Sequence, residues 1–211
     1  MDQLNDHLFL LINASAHPPG IVLIAALFLA GWLVPLAVVL FVSLWVRGRV
    51  RDRGGLLAAT LTMLLAISAN QLAGLVYFHP RPFMIGLGHQ YLAHPPDNSF
   101  PSDHATFLWS LGFSLLALGV LRRWAVLLVA GGVAVAWARV YVGVHFPLDM
   151  AGSLAVVALA VTRLAGRIDR VTRRWLLLPC LALYEATIAL FRLPPRLFPR
   201  QPAAARCGQN R

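Results

Sequence analysis

Three short polar segments interrupt an otherwise apolar chain of 211 residues, and they hold side chains suited to an anionic group. The first is His79-Pro80-Arg81-Pro82. The second is Ser99-Phe100-Pro101-Ser102-Asp103-His104, and the third runs Arg139, five residues, His145, three residues, Asp149. A guanidinium presents a planar fork of donors that suits phosphate oxygens and stays charged at any relevant pH. An Arg near membrane depth is costly without a partner, so the isolated Arg81 and Arg139 point to an anionic ligand. Ser102 and the N–H groups after it fall in the expected first turn of a helix, which is an anion-binding position. His145 and Asp149 are four residues apart and would share a helix face, although Pro147 confines helix to the second half of that interval. Either way the carboxylate can hold the imidazole in one tautomer and stabilise its cation. His104 is a second imidazole, able to protonate a departing oxygen. A buried polar network tying two helices together would account for the third segment but not for the other two.

The elements that position these residues belong to a membrane. The chain is 59% hydrophobic and 12% charged with a mean hydropathy of +0.70, whereas charged residues make up about a quarter of a soluble domain. Five apolar segments are long enough to span: Ile21–Val46, Leu56–Phe78, Ala105–Leu121, Trp124–Val142 and Pro147–Ala165. A sixth, Trp175–Phe191, is interrupted by Pro179 and Glu185. All 18 basic residues are Arg. Arg47, Arg49, Arg51 and Arg53, then Arg122 and Arg123, then Arg163 through Arg174 form three clusters, which share one side if the N-terminus is outside. The positive-inside rule makes that side cytoplasmic and the polar segments external. The same rule favours an interfacial or re-entrant helix for Trp175–Phe191, because a span there would translocate the Arg-rich tail. The N-terminal segment MDQLNDHLFLLINASAHPPG reads as a short amphipathic helix along the interface, with Asp2 and Asp6 where a signal peptide would be positive. Residues 193–211 read as a basic, Pro-rich, disordered tail. The net charge of +10 belongs to orientation in the bilayer, and nucleic acid is not an expected partner. Cys180 and Cys207 have no metal-ligand spacing and read as bystanders. The expectation is an all-α integral membrane helix bundle with five or six transmembrane helices and an N-terminal interfacial helix.

The three segments resemble the signature of the type-2 phosphatidic acid phosphatase superfamily, Lys-x6-Arg-Pro, then Pro-Ser-Gly-His, then Ser-Arg-x5-His-x3-Asp. Arg81-Pro82, Pro101-Ser102-x-His104 and Arg139-x5-His145-x3-Asp149 match in order and spacing over residues 56–165. The resemblance implies that His145 is the nucleophile, Asp149 its orienter and His104 the acid for the leaving group. Arg81, Arg139 and Ser102 would hold the phosphoryl oxygens, with Pro82 beside them. It implies no metal and no cofactor. Three positions depart from the signature: Gly74 stands where the Lys falls, Ala138 where the Ser falls and Asp103 where the Gly falls. Asn70 or Gln71, one turn deeper, could supply a neutral donor in place of the Lys. Asp103, within FPSDHA beside HPRPF, resembles the bacitracin-resistance branch, whose members are undecaprenyl-diphosphate phosphatases.

The resemblance therefore implies a membrane-embedded lipid phosphatase over residues 1–192. It would hydrolyse undecaprenyl diphosphate through a phosphohistidine, with its site facing the periplasm or exterior of a bacterial inner membrane and membrane lipids around it. Phosphatidylglycerol phosphate, phosphatidic acid and a lipid A phosphate are alternative substrates. A lipid phosphotransferase and an anionic-lipid carrier are alternative functions. Outside the signature, His17, His79, His89 and His94 read as solvated loop residues and Asp97 as a turn residue. Asp103 could lower the local positive field or bond a loop amide. The six Trp read as lipid-facing or interfacial anchors, and Gly131-Gly132 as a close helix contact.

Overall fold

The computed structural model describes residues 2–194 and 196–199, and every regular element among them is helical. Most of the expected tail, 200–211, lies outside the described residues. The helices are α1 (Asp2–Ile12), α2 (Gly20–Arg47), α3 (Val50–Val76), α4 (Asp103–Ala117), α5 (Arg122–Tyr141), α6 (Pro147–Ala160), α7 (Gly166–Val171) and α8 (Leu177–Leu190). A 3₁₀ turn, Pro82–Ile85, lies between α3 and α4. Two π turns, Val161–Ala165 and Thr172–Leu176, join α6, α7 and α8 into one continuous run. Among the described residues, four stretches are long and apolar enough to cross a membrane: α2, α3, α5 and the 44-residue run from Pro147 to Leu190. The expected five or six spans are not reached on length alone. α4 has 15 residues, or roughly 22 Å of helix against a hydrocarbon core of about 30 Å.

Side-chain size sorts the faces of each helix. On α2, Ile21, Ile24, Phe28, Trp32, Leu36 and Val39 recur every three or four residues and are all exposed, which forms a lipid-facing stripe. The opposite face buries Ala26 and Ala30 against Ala138, Val142 and Val144 at the end of α5. α4 sits at the centre: Leu108, Leu111 and Leu115 are buried, together with Ser110 and Ser114. It approaches α5 closely because glycines face bulk on each side. A Cβ on Gly112 would lie 2.7 Å from Val129, and one on Gly132 would lie 2.3 Å from the Trp109 ring. Trp109 is thus buried between helices, contrary to its reading as an anchor, while Trp32 and Trp175 are exposed. Gly131 faces open space, so only the second glycine of the pair makes the expected contact.

The Arg-rich end of the bundle is tied by its own cations. Arg173 donates to Arg51 O at 3.3 Å and pairs with Asp169 at 2.8 Å. Arg53 is fully buried and donates through Nε to Trp45 O (2.7 Å) and through Nη2 to Val46 O (2.9 Å). Those are carbonyls of the last turn of α2, which lack intrahelical partners. The guanidinium lies 4.4 Å from the Tyr184 ring of α8. Leu177 and Leu181 of α8 pack on Val50, so the sixth apolar stretch covers the start of α3, at the end remote from the polar segments.

Candidate active site

At the other end, the C-termini of α3 and α5 meet the N-termini of α4 and α6, and the three polar segments converge there. The turn Val142–Phe146 carries His145 between α5 and α6. Gly143 adopts φ +84°, and a Cβ on it would lie 2.1 Å from His89 O, so the loop after the 3₁₀ turn presses directly on this turn. Tyr91 N donates to Val142 O at 2.9 Å. On the far side, Asn13 after α1 donates to Tyr141 O (3.0 Å) and His89 O (2.9 Å). Phe9 of α1 packs on Phe146 with ring centroids 5.3 Å apart. α1 therefore caps the site end of the bundle rather than lying free on a surface.

Pro147 begins α6 at the position where a missing N–H costs nothing, which puts Asp149 in the first turn. The buried Asp149 carboxylate collects donors on both oxygens. Oδ2 accepts from Ser99 Oγ at 2.5 Å, from Phe146 N at 2.7 Å and faces His145 Nδ1 at 3.2 Å. Oδ1 faces His79 Nδ1 at 3.3 Å. A carboxylate against Nδ1 fixes the proton there and leaves the Nε2 lone pair of His145 on the cavity side. Burial, opposed by the hydrogen bond to Asp149, holds the His145 imidazole below its ordinary pKa, so it is neutral near pH 7.

Arg81 Nη1 lies 3.0 Å from His145 Nε2 and donates to Val144 O at 2.7 Å. Its Nη2 donates to Asn98 O at 3.0 Å, and Nε to Asp97 Oδ1 at 2.7 Å. Across the cavity, Arg139 Nη1 donates to His104 Nε2 at 3.2 Å. Among the described residues, Arg139 Nε and Ser102 Oγ are buried donors without a protein acceptor, a costly arrangement that an anion would relieve. Ser102 is the N-cap of α4, whose first-turn N–H groups face the same region. Asp103 Oδ1 and Oδ2 accept from Asn70 Nδ2 (2.9 Å) and Gln71 Nε2 (2.7 Å).

One cavity of about 420 Å³ brings together Gln71, Arg81, Asp103, His104, Arg139 and His145. Asp149, Ser102 and Pro82 stand behind that wall, buried. Gln71 lines the cavity with one of its two amide N–H groups already given to Asp103; the third departure from the signature thus bonds side-chain amides of α3, a partner not among those expected. The missing Lys also has a physical reason. A Cβ at Gly74 would lie 2.8 Å from Asn98 Nδ2, so Asn98 occupies the space of that side chain. Two histidines read as solvated loop, and Asp97, read as a turn residue, are instead engaged. His79 meets Asp149, His94 lines the cavity, and Asp97 pairs with Arg81. Burial lowers the His94 pKa. Burial alone would raise that of Asp97, but the Arg81 hydrogen bond and charge outweigh it and hold the carboxyl below its usual range. His79 was discoverable: it stands two residues before Arg81, and alternate residues of an extended strand share a side. Ser99 and Asn98 carry no comparable signal.

The PAP2 superfamily model matches residues 55–183 of this chain. YbjG of Escherichia coli strain K12 is 36% identical over 155 residues, which is 73% of this chain and 77% of the relative. The undecaprenyl-diphosphatase BcrC of Bacillus subtilis strain 168 is 30% identical over 185 residues, covering 88% of this chain and 94% of the relative. The crystal structure of Aquifex aeolicus LpxE superposes with a TM-score of 0.52 at 24% identity, covering 79% of this chain and 94% of that one, a likeness of fold.

Proposed function

This chain belongs to the PAP2 superfamily and is a membrane lipid phosphatase, and from that premise we propose that it hydrolyses undecaprenyl diphosphate to undecaprenyl phosphate and inorganic phosphate through a phosphohistidine at His145. The observation that carries the reading is the pair of imidazoles on one cavity, each bound to a different cation: His145 to Arg81 and His104 to Arg139. The choice of lipid follows the activity for which the B. subtilis relative is named and the Asp103 variant of the signature.

The terminal phosphoryl group binds between Arg81 and Arg139, near Ser102 and the first turn of α4, where fixed donors meet the charge that develops. Engaging the phosphate draws Arg81 away from His145 Nε2, freeing its lone pair, and Arg139 away from His104 Nε2, freeing that nitrogen to carry a proton. The Nε2 lone pair of His145 attacks phosphorus, and a P–N bond forms as the P–O bond to the lipid phosphate breaks. His104 gives its proton to the departing oxygen. Asp149 balances the positive charge left on the phosphorylated imidazole. Water then attacks the phosphohistidine while His104 accepts a proton; the P–N bond breaks and phosphate leaves. The charge asymmetry of the bundle supports a site on the external side. A reporter enzyme active only outside the cytoplasm should work when fused after Gly88 and fail after Arg51.

Substrate profiling of the purified full chain tests the reading. The highest kcat/KM is expected for undecaprenyl diphosphate among that lipid, phosphatidylglycerol phosphate, phosphatidic acid and a lipid A phosphate. Equal or faster turnover of a glycerolipid phosphate overturns the substrate assignment. Phosphate release that requires an added lipid acceptor would mark a phosphotransferase.

A further inference from the structure

Three cavities lie in file along one side of α3. The catalytic cavity touches this helix through Leu75, Gly74, Gln71 and Asn70. One turn farther from the site, a groove of about 380 Å³ runs between Ala69 and Ala66 on α3 and Val156 and Leu159 on α6. A second groove of about 340 Å³ shares Leu65 with the first and continues over Leu61 to Ile168 and Val171 of α7. α6 keeps step with α3. Phe100, a wall of the catalytic cavity, packs on Gly152, where a Cβ would lie 2.2 Å from its ring. Val156 is four residues on, next on the same helix face. From Leu75 to Leu61 the file covers roughly 21 Å of helix at the usual rise per residue.

The grooves exist because Ala66, Ala69 and Ala160 are too small to fill the space between α3 and the run of α6 and α7. Their walls are hydrocarbon apart from Arg163, Arg167 and Thr172 at the far end, and the Arg stems are themselves aliphatic. Resting on the lipid-diphosphate reading above, we infer that this α3–α6 seam holds the hydrocarbon chain of the substrate while its head group occupies the catalytic cavity. The seam gains little hydrophobic energy over bulk lipid, since lipid tails are as apolar as leucine. Its effect is positional: a chain lying in the groove fixes where the diphosphate stands relative to His145, and small misplacements of a reacting group are costly. The seam should therefore matter for a long-chain substrate and be indifferent to one whose chain ends before Ala69.

The test uses the full-length protein in detergent or nanodiscs, with Ala69→Trp and Leu159→Trp blocking the groove from its two walls. Val39→Trp, on the lipid-facing stripe of α2, is the control. Each is assayed on undecaprenyl diphosphate and on isopentenyl diphosphate, and the ratio of the two kcat/KM values is the readout. A general folding defect lowers both terms and leaves the ratio alone. Both groove variants are expected to lower the ratio at least about tenfold, with Val39→Trp unchanged. An unchanged ratio in both groove variants, or an equal fall in the control, overturns the inference. If wild type instead prefers a glycerolipid phosphate, the diphosphate reading fails. The seam is then judged by the same ratio between long- and short-chain forms of that lipid.

Discussion

Replacing Asp149 with Asn probes the site with almost no change of shape. Three groups converge on Oδ2 and one on Oδ1, and Asp149 is completely buried. Ser99 Oγ and Phe146 N both need an acceptor at the Oδ2 position, so the Asn oxygen would take that place and its amino group would face His79. The imidazole then keeps a neutral acceptor but loses the charge-assisted bond, worth about 1.5–3 kcal/mol, and with it the counter-charge for the phosphorylated ring. The opposite amide orientation would drive the His145 proton to Nε2 and remove the attacking lone pair. Removing the orienting carboxylate of a catalytic His by this same change costs about 10⁴ in kcat elsewhere. For Asp149→Asn a fall in kcat of roughly 10²–10⁴ is expected, equivalent to about 3–5 kcal/mol in the barrier. KM should change little, because Asp149 does not line the cavity. Steady-state phosphate release on protein of confirmed helicity is the assay. Retention of more than about a fifth of wild-type kcat, or a loss confined to KM, would refute the reasoning.

Other perturbations separate the site from its scaffold. His79→Asn removes the imidazole facing Asp149 Oδ1 and should lower kcat by roughly 3–30-fold at constant KM; an unchanged kcat would return His79 to a merely structural role. Arg53→Met removes the guanidinium donors from Trp45 O and Val46 O at the remote end of the bundle, leaving Val46 O only the 3.3 Å bond from Tyr184. It should cost about 2–4 kcal/mol, read as a lower thermal midpoint, with kcat per folded molecule preserved. Acid should destabilise the fold before it reaches ordinary carboxylate titration. His145 and His94 titrate near 6.5 when unfolded, whereas folded His145 binds its proton only at about 4 and His94 is also lowered. The unfolded chain thus takes up more protons, and stability falls as pH drops from about 6.5 toward 4. A thermal midpoint in detergent that is unchanged or higher near pH 5 than near pH 7.5 contradicts this sign.

What could be read in the sequence was what repeats along it. Apolar length and Arg placement gave α2, α5, the end of α3 and the start of α6 closely, because a membrane helix has a fixed length and cations avoid its middle, whereas α3 begins at Val50, ahead of the expected Leu56. α4 was legible as a helix beginning at the Ser102 segment, but not as the short buried centre of the bundle, since burial among helices and burial in lipid select the same residues. The spacing of Arg139, His145 and Asp149 anticipated their proximity because all three lie within one helix end, one turn and one helix start. Contacts between distant segments were not legible. Nothing local in HPPDNS announces that Asp97 pairs with Arg81 or that Asn98 fills the space over Gly74; those depend on how a long loop folds back across α3. Arg53 looked like one of several orienting cations, and only the fold distinguishes it, through its burial, its bonds to Trp45 O and Val46 O and its packing against Tyr184.

The central claim is that His145 Nε2 attacks phosphorus, and trapping the intermediate tests it most directly. Purified protein is mixed with undecaprenyl diphosphate carrying a labelled terminal phosphate, quenched in base within milliseconds, digested and mapped. The account predicts a base-stable, acid-labile phosphoramidate on the peptide containing His145. The label should be absent from His145→Ala and should accumulate in His104→Ala when a substrate with a good leaving group bypasses the need for the acid. Label on any other residue, or full phosphate release by His145→Ala, would contradict it.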